Sequence, residues 1–257
     1  MQESTMLYML PLSAEVMGTT DWVYPTLLRD GDSAMLVDTG YPRQMKALQE
    51  ALAQAGITPD KLTAILITHQ DLDHIGNLPE LVQASGPSVE VIAHELEKPY
   101  IQGDRRLIKI TDEAIARIDS LPKEVPLEWR QGLKAILVNP PKANVGRTVV
   151  DGEKLPYGGG IIVIGTPGHT PGHISLYHEP TRTLIVGDAL VVAEGELYGP
   201  SPEQTHDMEQ AIQSLGKLKD YDIETVICYH GGRYTGDANR RIAELASSLL
   251  TTLPDQP

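Results

Sequence analysis

The sequence contains no phenylalanine and a single cysteine, Cys228. One thiol excludes an internal disulfide and a cysteine-rich zinc site. It fits a reducing compartment. Leu, Ile and Val must therefore fill the core, while ten Tyr and two Trp carry all the aromatic character. Positive charge is also scarce: 21 Lys and Arg against 35 Asp and Glu give a formal charge of −14. Nucleic-acid binding through phosphate neutralisation needs a basic surface, so this balance argues against a nucleic-acid partner. No apolar run approaches the roughly 20 residues of a membrane span. Residues Met1-Gln2-Glu3-Ser4-Thr5 lack the basic and apolar regions of a signal peptide. These absences lead us to expect a cytoplasmic protein acting on a small molecule, with no membrane partner. The oligomeric state stays open, a dimer among the options.

What is present is a chain of 257 residues, long enough to bury a substantial core. Residues 6–12, 22–28 and 34–37 read as strands, with Asp30-Gly31-Asp32 as a turn. Pro42 suits a first helical turn, followed by Met45, Leu48, Leu52 and Ala55 at helical spacing. A strand over 62–67, a short helix over 76–84 and a strand over 89–93 come next. Such alternation predicts a layered α/β fold. Between 95 and 147 the pattern breaks. A helix is expected over 112–121, with Thr111 as N-cap and Pro122 as its stop. Pro126, Pro140 and Pro141 interrupt the remainder of the segment. It holds 10 of the 21 basic residues and 8 of the 35 acidic ones. It reads as an inserted cap on a single domain spanning 1–257, either a solvated excursion or a pocket wall that favours an anionic substrate. Strands return at 148–150, 161–164, 174–178, 183–186 and 225–228. Ser201-Pro202-Glu203-Gln204 reads as a helix start, and a last helix comes after Asp237. No fixed-period repeat is visible.

The most informative stretch is Thr68-His69-Gln70-Asp71-Leu72-Asp73-His74. Four groups able to bind a metal leave a buried strand within six residues. If the segment is extended or looped, side chains two apart share one side, so His69, Asp71 and Asp73 could converge, with His74 adding a nitrogen. Left unpaired at the exit of a buried strand, these groups would be costly, and a cation removes that cost. Later strands run into Gly168-His169, Gly187-Asp188 and His230-Gly231. Strand ends along one edge are where binding groups gather in α/β proteins. A lone strand-end histidine is ordinarily structural; the set together points to a metal site. Cys228 lies inside an apolar strand and reads as a buried structural thiol.

Taken in order, Leu36-Val37-Asp38-Thr39-Gly40, the cluster 68–74, Gly165-Thr166-Pro167-Gly168-His169-Thr170-Pro171-Gly172-His173, Gly187-Asp188 and His230 followed by glycines resemble the metallo-β-lactamase-fold hydrolase superfamily. The resemblance covers nearly the whole chain. It implies an αββα sandwich with two divalent metal ions on one edge between the sheets. It further implies that His69 and His169, with position 71, hold the first metal. Asp73, His74 and His230 would hold the second, and Asp188 would bridge both. Asp38 would support these ligands by hydrogen bonds, and His173 would support them or line the pocket. His94, His178 and His206 match no ligand position. The implied chemistry is attack by a metal-bridging hydroxide on a carboxylic ester, thioester or lactone, with Asp73 able to shuttle a proton to the leaving group.

This chain departs from the family's His-x-His-x-Asp-His at position 71, where it has Asp71. A carboxylate is a harder ligand than imidazole, so iron or manganese joins zinc, the first expectation, as a candidate. The flavodiiron branch, which handles oxygen or nitric oxide, also carries a carboxylate there but has an attached flavodoxin-like domain. Hydroxyacylglutathione hydrolases carry a helical C-terminal domain, whereas about one helix comes after His230 here. Acyl-homoserine lactonases are similar in size, but their Tyr three residues after the bridging Asp is replaced by Val191. Tyr198, Tyr229 and Tyr234 are the candidate substitute phenols. The expectation is a general small-molecule hydrolase, with a lactonase-type enzyme and a diiron redox protein as alternatives.

Overall fold

Alternation within each strand decides the layering of the protein. In the computed structural model, which describes residues 6–16, 18–31 and 33–251, Met35 and Val37 of the strand Ser33–Val37 enter one core and Leu36 another. Ala64 and Leu66 of Ala64–Ile67 join the first of these, Ile65 and Ile67 the second. Side chains in a strand alternate faces, so each strand feeds two layers. The shared core lies between two sheets, where Met35, Val37 and Leu66 meet Ile161, Val163, Leu176 and Ile227. The outer face of the first sheet is covered by the helices Met45–Gln54 and Leu78–Ser85 through Leu48, Leu52, Leu78 and Leu81. The outer face of the second is covered by Met208–Leu218 and Ala238–Leu250 through Leu215, Leu218, Ile242 and Leu245. The result is an αββα sandwich, as the resemblance implies. Asp32, residues 1–5 and the tail beyond Leu253 lie outside the described residues.

The first sheet has the order Met6–Met9, Thr26–Asp30, Ser33–Val37, Ala64–Ile67, Glu90–His94, Arg147–Val149. Its last four strands pair in parallel. The second has the order Gly232–Tyr234, Thr225–Cys228, Thr183–Ile185, Ile174–His178, Ile161–Gly165, Lys154–Leu155. There, Thr183–Ile185 and Thr225–Cys228 are parallel. Ile161–Gly165 runs the same way, because it is antiparallel to Ile174–His178, which is antiparallel to Thr183–Ile185. Strands that run together end together, which brings the loops after Val37, Ile67, Gly165, Ile185 and Cys228 to the sandwich edge.

Four expectations need correction. The opening is no simple meander, since Pro11 and Pro25 cannot donate to a ladder. The chain leaves the sheet there and forms a separate hairpin, Leu12–Val16 with Thr19–Val23. Residues 69–75 are not extended throughout: the loop gives way at Asp71 to one helical turn, Leu72–Ile75. Leu127–Val138 is helical, because Pro126 precedes it and Pro140 comes after it, so these prolines bound a helix rather than break one. The next helix starts at Asp207, whose carboxylate accepts from Gln210 N at 2.9 Å, six residues beyond Ser201.

The segment 95–147 connects two neighbouring parallel strands, Glu90–His94 and Arg147–Val149. Ile101, Leu107, Ile110 and Val145 bury it against the first outer layer. Thr111 caps Asp112–Asp119 by accepting from Ala114 N, as expected. No helix among the described residues is long and apolar enough to cross a membrane.

Candidate metal centre

The loop after Ile67 is held from below by one carboxylate. Asp38, fully buried, accepts from Thr68 N at 2.9 Å, from Thr68 Oγ1 at 2.8 Å and from His74 Nδ1 at 2.9 Å. It does so from the left-handed region, φ 62°, a conformation Asp tolerates better than most residues. Its bond to His74 fixes the proton on Nδ1 and leaves Nε2 free to bind a cation. Thr68 Oγ1, its proton given to Asp38, accepts from His69 Nδ1 at 3.1 Å, so His69 Nε2 is likewise free. Tyr229 packs its ring 3.8 Å from that of His74, accepts from Gly40 N and donates to the Asp73 carbonyl.

Two groups of ligand atoms result. His69, Asp71, His169 and Asp188 form one, and Asp73, His74 and His230 the other; within each, the atoms lie within 4.8 Å of one another. Asp188 lies between the groups. Its Oδ1 is 3.3 Å from His74 Nε2, and its Oδ2 is 3.3 Å from His169 Nε2 and 3.7 Å from His230 Nε2. His69 Nε2, His74 Nε2 and Asp188 Oδ1 are buried without a hydrogen-bond partner in the protein. Orphaned buried atoms of this kind are costly. Converging imidazole nitrogens and carboxylate oxygens are the donor set of a divalent cation. The residues therefore fit the metal ions that the fold implies.

His173 orients Asp188 from behind. Its Nε2 accepts from Asp188 N at 3.0 Å, so its Nδ1 carries the proton and donates to Thr166 Oγ1 at 2.9 Å. Burial and the neighbouring His69 hold its pKa well below the usual range, so it is neutral. At the end of the second sheet, Gly231 has φ 83°, and a Cβ there would come 1.7 Å from the Val192 carbonyl oxygen. Only glycine can come after His230 in this turn.

Several contributors were not visible in the sequence. Glu97, fully buried, accepts from Gln70 N and Gln70 Nε2, each at 3.0 Å, and from Gly172 N at 2.8 Å. It ties the loop carrying His69 and Asp71 to the loop carrying His169. We expect Glu97→Ala to strand these three donors at about 1–3 kcal/mol each, lowering Tm by about 6 °C or more. A thermal melt checks this, and an unchanged Tm would show that the carboxylate does not hold the loops. The pocket phenol is Tyr41, which donates to Asp21 Oδ2 at 2.6 Å. Burial, and after it Asp73, raise its pKa. The expected phenols lie elsewhere. Tyr234 is in the second outer core, Tyr198 points to solvent opposite buried Leu197, and Tyr229 sits behind His74. Lys109, from the segment 95–147, donates to Asp71 and lies 2.8 Å from His169 Nε2. His94 and His178 stay outside both groups: His94 accepts from Leu96 N, and His178 bonds the Gly158 carbonyl and Thr181. His206 is not in either group.

The carboxylates set the protonation of the metal-free site. Burial opposes charge on His74, but Asp188, Asp38 and Asp73 outweigh it and hold its pKa well above the usual value. His230 is likewise opposed by burial, yet Asp188, Asp21 and Asp73 push it up to about 10. Burial and the nearby His74 lower His69 instead. For Asp71 and Asp188 burial favours the neutral acid, but the surrounding imidazoles dominate and hold both well below the carboxylate range. A raised folded pKa stabilises below the unfolded value, so the His230 contribution is full below a pH of about 6.5 and is lost as pH rises through about 10. A cation needs neutral imidazole. Metal uptake near neutral pH should therefore release a proton from each of His74 and His230 and tighten as pH rises. Calorimetric titration in buffers of different ionisation enthalpy measures this; uptake without proton release contradicts it.

The sequence matches the family model of the metallo-beta-lactamase superfamily over residues 23–230, and the chain belongs to that family. It is 32% identical over 233 residues to the "probable metallo-hydrolase" YflN of Bacillus subtilis, covering 84% of this chain and 83% of that one. It is also 32% identical over 181 residues to a hydroxyacylglutathione hydrolase of Pseudomonas savastanoi, covering 67% of this chain but 49% of that one. Among solved structures, a metallo-beta-lactamase family protein from Thermus thermophilus superposes with a TM-score of 0.68 at 27% identity, covering 95% of this chain and 79% of that one. The chain thus stands among the metallo-hydrolases.

Proposed function

We propose that this protein is a metal-dependent hydrolase of carboxylic esters, thioesters or lactones of small molecules. One observation carries the reading: two groups of ligand atoms face each other across Asp188, and three of their buried atoms lack a hydrogen-bond partner in the protein. Divalent cations held there supply a hydroxide nucleophile near neutral pH and polarise a carbonyl. His69, Asp71 and His169 would hold the first, Asp73, His74 and His230 the second, with Asp188 shared. Zinc suits this set, and the carboxylate of Asp71 also admits iron or manganese. Asp73, 3.1 Å from His230 Nε2 and 16% exposed, is placed to move a proton to the leaving group.

The cleft over the site has a volume of about 370 Å³, and its apolar lining includes Leu190, Val191 and Pro200. That size suits a small molecule, and its acidic lining suits no nucleic acid. Val191 leaves the position of the lactonase phenol apolar; Tyr41 is the phenol that faces the cleft instead. The hydroxyacylglutathione hydrolase relative supports thioesters among the substrates. A panel of ester, thioester and lactone substrates, run on protein reconstituted with zinc, manganese or iron, tests the proposal. Hydrolysis of at least one class is expected.

Asp71 favours a second reading, a diiron protein acting on oxygen or nitric oxide. Iron with oxygen-dependent visible bands and no hydrolysis of any panel member would establish it. A colourless zinc protein that hydrolyses esters sinks it.

A further inference from the structure

Lys109 reaches the site from outside every motif that carries the ligands. Its backbone is fixed: Leu107 and Ile110 are buried on either side, and Ile108 N donates to Gln70 Oε1 at 2.7 Å. Gln70 is itself fully buried and clamped by Glu97. The lysine is therefore built into the site and not draped over it. Its ammonium donates to Asp71 Oδ2 and lies 2.8 Å from His169 Nε2. Both atoms belong to the group that could hold the first cation.

An imidazole nitrogen has one lone pair. Once that pair accepts a hydrogen bond from an ammonium, it cannot also bind a cation. Two positive charges drawn to the same carboxylate also repel each other, strongly so where water is scarce. The second group, Asp73, His74 and His230, has no ammonium against it: Lys109 is the one Lys or Arg lining the cleft among the described residues.

We propose that Lys109 is a built-in competitor for the first cation. It holds Asp71 and His169 until the cation displaces it, so the two half-sites of one centre fill with unequal affinity. Displacement turns the ammonium into the cleft, where it faces the substrate. The inference rests on the assignment of ligands in the proposed function, but not on hydrolysis.

The test is titration of metal-free protein with zinc alone against a competing chelator, which resolves the two stepwise affinities. In Lys109→Met, of similar length but neutral, the weaker step should tighten at least 10-fold and the stronger step should stay unchanged. Lys109→Arg keeps the charge and should keep the weak step. Arg106→Met removes a charge from the same segment at a residue that pairs with exposed Asp112, and should change neither step. If Lys109→Met leaves both steps unchanged, or shifts both equally, the inference is overturned while the metal centre stands. If Lys109→Met tightens the weaker step but no substrate is hydrolysed, the inference holds and the hydrolase reading fails. A protein that binds no zinc with or without Lys109 refutes both.

Discussion

Asp188→Ala should lose both metal ions and, with them, on the order of 10³-fold or more of any hydrolysis, since the metals are what bring the pKa of water down from about 15.7 to about 7. The reason is position. One carboxylate faces His74 through Oδ1 and His169 and His230 through Oδ2, at 3.3 to 3.7 Å. Among the described residues no other carboxylate pairs with imidazoles of both groups. Its backbone N–H is held by neutral His173, so the carboxylate arrives already aimed. Truncation removes the shared ligand and leaves each half-site one carboxylate, Asp71 or Asp73, where it had two. Metal content measured alongside the rate separates this from a folding defect: the variant should melt cooperatively yet carry neither metal. Retention of two metals with full activity would falsify the shared role.

Asp38→Ala should have the largest effect on the fold itself. Thr68 N, Thr68 Oγ1 and His74 Nδ1 all depend on that carboxylate, and all are buried. Each stranded donor costs about 1–3 kcal/mol, against a total stability of about 5–15 kcal/mol for a typical domain. The left-handed backbone at 38 adds to the cost, since Ala tolerates it less well than Asp or Asn. The protein should become poorly soluble or lose more than about 10 °C in Tm. Asp38→Asn tolerates the same backbone and retains one acceptor oxygen. It should fold, but its amide cannot serve Thr68 and His74 together, and metal affinity should fall about 10–100-fold. Unchanged metal affinity in Asp38→Asn would show that the site does not depend on the charge of Asp38.

The ligands were legible in the sequence because each lies at or just beyond the end of an apolar run, and strand ends that run together must share an edge. His69, Asp73, His74, His169, Asp188 and His230 needed no knowledge of side-chain packing to be nominated. The layering was legible in the alternation of strands and helices between residues 34 and 93; that both faces of Ser33–Val37 are covered emerged from the structure. What was hidden depends on contacts between residues far apart in sequence. Glu97 meets Gln70 across 27 residues and Gly172 across 75, and Lys109 meets His169 across 60. None of these has a spacing that marks it. Tyr234 and Tyr198 were misplaced because proximity in sequence to a ligand says nothing about which face of a strand a residue takes. The helix Leu127–Val138 was hidden because no residue on it is fully buried, so its apolar stripe was weak and its flanking prolines dominated.

The role of Asp71 depends on both views. Sequence marks it as the departure from the family pattern, and the structure gives it three polar partners: His69 at 3.2 Å, His169 at 3.0 Å and Lys109. A carboxylate in that place serves as a ligand and also gives the lysine a negative charge, which a neutral imidazole does not. The substitution and the lysine are therefore parts of one arrangement.

The central claim is a two-cation centre that drives hydrolysis. Its most direct test adds zinc stepwise to metal-free protein and follows the rate on an activated ester at each addition. Two equivalents should bind per chain, and the rate should rise mainly with the second. A rate complete at one equivalent, or no hydrolysis with both bound, contradicts the claim.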